Sequence, residues 1–219
     1  MESLSGDVLY SIAVYLDYPD LINFCLSSSN IYRSLHRKNP IWLYKLETTY
    51  PIWKSYNIDK PLHNIYKLIY ELDILKSKLN LNYSLFELYN LTELNLYNKG
   101  LTEIPREIGN LSNLEYLYLY DNNLDKLPTT IGKLNNLRGL WLSNNQLTDI
   151  SSIANLYNIQ TLWLNKNLLN DVSVITHLSN LQKLHLTNNQ LTEIPPEICK
   201  LPKLERLYTR NQFKYLSLL

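Results

Sequence analysis

The chain has 219 residues, 45% of them apolar, with 21 basic and 20 acidic side chains and a formal net charge of +1. That length and apolar content suffice for one medium or two small packed domains, while the near-neutral charge supplies no overall field to hold a nucleic acid or an anionic membrane. A polar start, no bilayer-length apolar run and two distant cysteines, Cys25 and Cys199, read as a chain that is neither secreted nor membrane-inserted, in a reducing compartment.

In chain order, the first pattern is helical. DVLYSIAVYL places Val8, Leu9, Ile12, Tyr15 and Leu16 on one face, with Ser5 as a candidate cap. A second helix is expected from Asp20 through LINFCL and a third through NIYRSL. Asn39-Pro40 then stops one helix and starts another that carries Trp42. The basic run RSLHRK (Arg33 to Lys38) reads as a solvated helix face.

Within these helices LSGDVL (Leu4 to Leu9), YLDYPDL (Tyr15 to Leu21) and Trp42 resemble, in order and spacing, the F-box family's LPxEIL opening, central YLDPxDL and late tryptophan. Ser5 stands where that opening has proline. The resemblance covers roughly residues 2 to 47. It implies docking on a Skp-type adaptor and, through it, on a cullin of a ubiquitin ligase. By that resemblance Leu4, Val8, Leu9, Ile12, Leu16, Asp20, Leu21 and Trp42 are the expected adaptor-binding positions. The same apolar spacing serves a helical bundle's own core equally well.

Residues 48–84 read as a loop and an amphipathic helix, with Leu62, Ile65, Leu68, Ile69, Leu72 and Leu75 at helical spacing. This helix is expected to shield the open N-terminal end of a repeat stack that begins at residue 85.

From residue 85 to residue 219 the pattern LxxLxLxxNxL recurs. Its units start at Leu91, Leu114, Leu137, Ile159, Leu181 and Leu204, which are 23, 23, 22, 22 and 23 residues apart. Apolar pairs such as Leu124/Leu127 and Leu147/Ile150 follow each strand, and Leu85 and Leu88 suggest a partial first unit. The segment resembles the leucine-rich repeat family. EIPREIGNLSNL and EIPPEICKLPKL look like 23-residue units, and the DISSIANL and DVSVITHL units look like the 22-residue kind. The expected fold is therefore α+β: an all-helical F-box-like module (residues 1–47), a linker with a capping helix (48–84) and a short leucine-rich-repeat solenoid with a concave parallel sheet (85–219).

Strand alternation sends the fourth- and sixth-place leucines into the core and the third, fifth and seventh places outward. Asn122, Asn145, Asn167 and Asn189 hold the ninth place, where a carboxamide can satisfy turn backbone groups. Lys99 breaks this series in the first unit, and the last unit leaves the register after Tyr208. The outward columns gather aromatic and basic side chains, the types that dominate binding hot spots. The expected substrate-binding residues are Tyr97, Tyr116, Tyr118, Tyr120, Trp141, Trp163, His185, Arg206, Tyr208 and Arg210. Mutual stacking that stiffens the sheet is the competing role for the aromatics.

Catalysis finds no pattern to stand on. Gly6, Gly100, Gly109, Gly132 and Gly139 form no phosphate-cradling loop, His36, His63, His177 and His185 have no metal-ligand spacing, and no strained nucleophile turn occurs. No cofactor is expected. Glycosylation-type triplets at Asn82, Asn90 and Asn110 reflect an asparagine-rich composition.

The sequence expectation is thus a non-enzymatic substrate receptor of a Skp-cullin-F-box ligase that binds a protein substrate on its concave face, a monomer outside that complex. A plain repeat scaffold, with a phosphatase or small GTPase as partner, is the alternative. Composition poor in Ala and Gly and rich in Asn, Lys, Tyr, Ile and Leu resembles AT-rich protist or giant-virus coding, and the expected location is the cytoplasm or nucleus, that of a host cell if the chain is viral.

Overall fold

The structure, a computed structural model, describes residues 11–17, 19–21, 23, 40–56, 58 and 60–209. The chain divides into two compact units, residues 1–86 and 87–219.

In the first unit, residues 11–13 and 19–21 are helical. Helix α1 (Pro40–Thr49) starts on the proline that the sequence marks as a breaker, since proline lacks the N–H that a first turn leaves unpaired. Helix α2 (Leu62–Lys78) comes after Pro61 and buries Ile65, Tyr66, Ile69, Leu72 and Leu75 along one stripe. Leu62 and Leu68, on the margins of that stripe, are half-buried.

Asn80 ends α2 in the left-handed region at φ 48°. There the Leu81 N–H reaches Lys76 O at 2.9 Å and the Asn80 N–H reaches Ser77 O at 3.2 Å, so two of the last carbonyls are satisfied by a Schellman turn. The helices meet through rings: Trp42 lies 6.0 Å from Tyr66 and 6.1 Å from His63, and Tyr50 lies 5.8 Å from Tyr66. Burial lowers the pKa of Lys45, with Asp17 opposing it, and the ammonium donates to Leu16 O at 2.6 Å.

The second unit opens with helix α3 (Leu85–Tyr89, shared at the boundary), whose Leu88 is fully enclosed. Six three-residue strands come next: β1 (Glu93–Asn95), β2 (Tyr116–Tyr118), β3 (Gly139–Trp141), β4 (Thr161–Trp163), β5 (Lys183–His185) and β6 (Arg206–Tyr208). They form one parallel sheet in sequential order, with Leu94, Leu117, Leu140, Leu162, Leu184 and Leu207 in register. Short 3-10 helices return the chain behind the sheet: Arg106–Asn110, Thr129–Lys133, Ser151–Ile153, Ser173–His177 and Ile198–Lys200.

The two repeat lengths start these returns differently. Pro105 and Pro128 precede the 3-10 helix in their 23-residue units. In the shorter units Asp149 accepts from the Ser151 N–H at 2.9 Å and Asp171 from the Ser173 N–H at 2.8 Å. Hydrogen bonds from these serines hold both carboxyls below the usual carboxylate range, as expected for an aspartate that nucleates a turn.

Turn geometry explains the asparagines. The eighth place of successive units, Asn98, Asp121, Asn144, Lys166 and Asn188, is left-handed, with φ between 50° and 58°. The chain thus turns inward, and the ninth-place carboxamide meets its backbone. Asn145 Nδ2 donates to Leu119 O at 2.9 Å and Leu142 O at 3.1 Å, while its Oδ1 accepts from the Leu124 N–H at 3.0 Å.

Asn122, Asn167 and Asn189 do the same in their units. In the first unit, where Lys99 holds the ninth place, Asn122 accepts from the N–H groups of both Lys99 and Leu101. The leucine pattern gives no sign of a second series. Asn113, Asn136, Asn158 and Asn180, each just before the first apolar residue of a unit, donate to Tyr89 O, Ser112 O, Asn135 O and Tyr157 O of the preceding one.

Candidate protein-binding face

One face of the sheet carries the leucines into the core, and the other carries three outward columns, by the two-residue period of a strand. Trp163 is 38% exposed, Tyr97 41% and Tyr208 43%, which sets these rings outside the core. Tyr116, Tyr118, Tyr120, Trp141 and His185 are half-buried, and Arg206 is exposed. Arg210 lies outside the described residues.

The rings group in two sets. Tyr97 stacks on Tyr120 with centroids 4.3 Å apart, and Tyr118 stacks on Trp141 at 4.4 Å. On the other side Trp163 meets His185 edge-on at 5.7 Å, and His185 meets Tyr208 at 5.1 Å. The rings thus touch one another and still present surface.

Trp141 and Trp163 are partners in the β3–β4 register, yet their ring contacts run in opposite directions. Between them opens a recess of about 430 Å³ lined by Tyr118, Trp141 and Trp163, with Ser143 and Asn165 joined by a 2.6 Å hydrogen bond and with Asp121 and Lys166 also on its lining.

Gly139 seats this arrangement, a role that repeat periodicity does not assign to it. A Cβ built there would overlap Trp141 Cζ3 and Cη2 and stand 3.0 Å from Tyr116 Cδ1. The indole lies where a third-place side chain would be, an aromatic covering a strand glycine. The available signal was the glycine itself, in a column otherwise filled by Glu93, Tyr116, Thr161, Lys183 and Arg206.

Burial, then the nearby Glu93 carboxylate, pushes the Tyr118 phenol above its usual pKa, so it stays protonated and able to donate. Burial lowers the His185 pKa, so this ring is neutral near pH 7; its Nε2 pairs with Thr187 Oγ1 at 2.9 Å. Among the described residues no group of His, Cys, Asp and Glu side chains could hold a metal ion, and no helix is long and apolar enough to cross a membrane.

The described adaptor positions differ in exposure. Leu4, Val8 and Leu9 lie outside the described residues. Ile12 is 39% exposed and Asp20 is exposed, Leu16 is half-buried, and Leu21 and Trp42 have no exposed surface. Leu21 and Trp42 thus act as core in this chain.

No curated protein sequence matches the chain significantly. Among solved structures, a leucine-rich repeat protein of Leptospira interrogans is 34% identical at a TM-score of 0.53, over 56% of this chain and 33% of its own. An internalin of Listeria monocytogenes is 27% identical at 0.50, over 63% of this chain and 43% of its own. The chain therefore spans less than half the length of these two. The leucine-rich-repeat ectodomain of a receptor kinase of Arabidopsis thaliana, 23% identical at 0.56 over 66% of this chain and 93% of its own, shares the fold.

The leucine-rich repeat region family matches residues 58–174, more than half of the chain, and a two-copy leucine-rich repeat family matches residues 179–219. With the single parallel sheet and the asparagine-bonded turns, these matches settle the family: the chain belongs to the leucine-rich repeat proteins.

Proposed function

We propose that this chain is a non-enzymatic protein-interaction module that holds a partner on the outward face of its sheet. One observation carries the reading: two indoles and several phenols stand in register on the side of the sheet away from the core, and such surface is costly to leave open. Rigid aromatic rings give large contact area at low entropic cost.

The test compares wild type with Trp163→Ala. Loss of the ring at a hot spot costs about 2 kcal/mol or more in affinity, whereas loss of ring stacking costs the fold only about 0.5–1.5 kcal/mol. The expected result is that a partner recovered from cell lysate by wild type is lost, while the melting temperature changes little. A large drop in melting temperature with undiminished recovery would make the tryptophan structural and remove the assignment.

A more specific reading, a substrate receptor of a Skp-cullin-F-box ubiquitin ligase, rests on the LSGDVL and YLDYPDL resemblance. The matching families cover residues 58–174 and 179–219 and not that segment. Calorimetry of the folded full-length chain with a Skp-type adaptor is expected to show binding that Ile12→Asp weakens, because Ile12 presents apolar surface. No heat of binding from a folded chain ends this reading and leaves the plain interaction module.

A further inference from the structure

The charges on the sheet face are ordered. Glu93 on β1 and Asp121 after β2 lie toward one end; Lys166 after β4, Lys183 on β5 and Arg206 on β6 lie toward the other. Glu93, Lys183 and Arg206 occupy the same third-place column, set by the strand register. Among the described residues none of these five side chains forms an ion pair. Glu93 accepts a hydrogen bond from the Tyr118 phenol and Asp121 one from Asn144 Nδ2, but neither neutral donor cancels the carboxylate's charge, so the charge of all five is left for a partner.

The recess between Trp141 and Trp163 sits between the acidic and basic ends, with Asp121 and Lys166 both on its lining. Flat indole walls suit a flat side chain, since offset or edge-on ring packing adds to simple area burial.

We propose that this face takes a charge-ordered peptide segment of a protein partner: an aromatic side chain in the recess between Trp141 and Trp163, a basic residue against Glu93 and Asp121, and an acidic residue against Lys166, Lys183 and Arg206. The inference rests on the protein-binding reading and adds the partner's chemistry. Span supports it. Neighbouring strands stand about 4.8 Å apart, so β1 to β5 is about 19 Å, which an extended chain covers in about six residues. A segment of one sign throughout meets like charge at one end, which is how such faces reject wrong partners.

The test uses synthetic peptides as probes, read by the tryptophan fluorescence of the full chain. The end-blocked peptide Lys-Lys-Gly-Phe-Gly-Glu-Glu is compared with Lys-Lys-Gly-Phe-Gly-Lys-Lys and Glu-Glu-Gly-Phe-Gly-Glu-Glu. The mixed peptide is expected to bind at least about tenfold more tightly than either single-sign peptide at low salt. The gap should close between about 50 mM and about 500 mM salt, as screening removes the charge term. In the doubly substituted chain Lys183→Glu, Arg206→Glu the preference passes to the lysine-flanked peptide, and an unchanged melting temperature certifies the fold.

Equal affinity for all three peptides, weakened by Trp163→Ala, overturns the charge order while leaving the face as a binding surface. Mixed-peptide binding that ignores both Trp141→Ala and Trp163→Ala places the interaction elsewhere and overturns the inference together with the functional reading. No binding of any peptide by a folded chain overturns the inference, and recovery of a partner from lysate then decides the functional reading separately.

Discussion

Removing two neighbouring ladder asparagines destabilises the repeat unit by more than the sum of removing each alone. The reason is a shared acceptor: Leu142 O receives one carboxamide N–H from Asn145 and another from Asn167. Asn145→Ala leaves the buried Leu124 N–H without its acceptor, but Leu119 O keeps Asn122 and Leu142 O keeps Asn167. One orphaned group costs about 1–3 kcal/mol. Asn167→Ala orphans the Leu147 N–H in the same way. The double substitution adds a third orphan, Leu142 O, so an excess of about 1–3 kcal/mol over additivity is expected. Asn122→Ala with Asn167→Ala is the control. That pair shares no carbonyl, and its effects should add within about 0.5 kcal/mol. Urea unfolding of these single and double variants reads the differences, and a neighbouring pair that costs only the sum of its members would refute the shared-carbonyl ladder.

The same repetition made the solenoid legible in the sequence. A leucine at a fixed place does one job in every unit, so its periodicity reports the job directly, and the ninth-place asparagines are legible for the same reason. Asn113, Asn136, Asn158 and Asn180 were harder to see. They sit among other polar residues in segments such as SNL and NNL, where an asparagine that bonds backward looks like any loop residue. The aspartates that start the 3-10 helices of the short units were hidden likewise, because their work is done with a serine two residues on.

The outward columns were legible as columns but not as a surface. Alternation places Trp141 and Trp163 off the core; it does not say that one indole turns to Tyr118 and the other to His185. That choice is a matter of rotamer and neighbour, and it creates the recess. In the helical unit, spacing identified the apolar positions without dividing core from contact: Leu21 and Trp42 are enclosed while Ile12 is not. Period names a face, whereas enclosure depends on which other helices arrive.

Gly139→Val strongly weakens partner binding while leaving the fold nearly as stable as before. The new Cβ falls on the indole of Trp141 and crowds Tyr116, so the ring must lift from its seat and give up its 4.4 Å stack on Tyr118. For the fold, the lost stack of about 0.5–1.5 kcal/mol is offset by the entropy of about 0.5–1 kcal/mol that a strand glycine forfeits, so the two nearly cancel. For the face, the effects reinforce one another. The indole leaves its place as one wall of the recess, and where it goes it obstructs the space opposite Trp163. The expected loss is about 2–4 kcal/mol of affinity, that of a hot-spot residue displaced rather than trimmed. Gly139→Ala, with less bulk beyond the Cβ, should fall between. The readouts are binding of the recovered partner, melting temperature and the fluorescence maximum, which moves to longer wavelength as the freed indole meets water. Undiminished binding by Gly139→Val, with the shift in fluorescence present, would show that the partner does not read the recess.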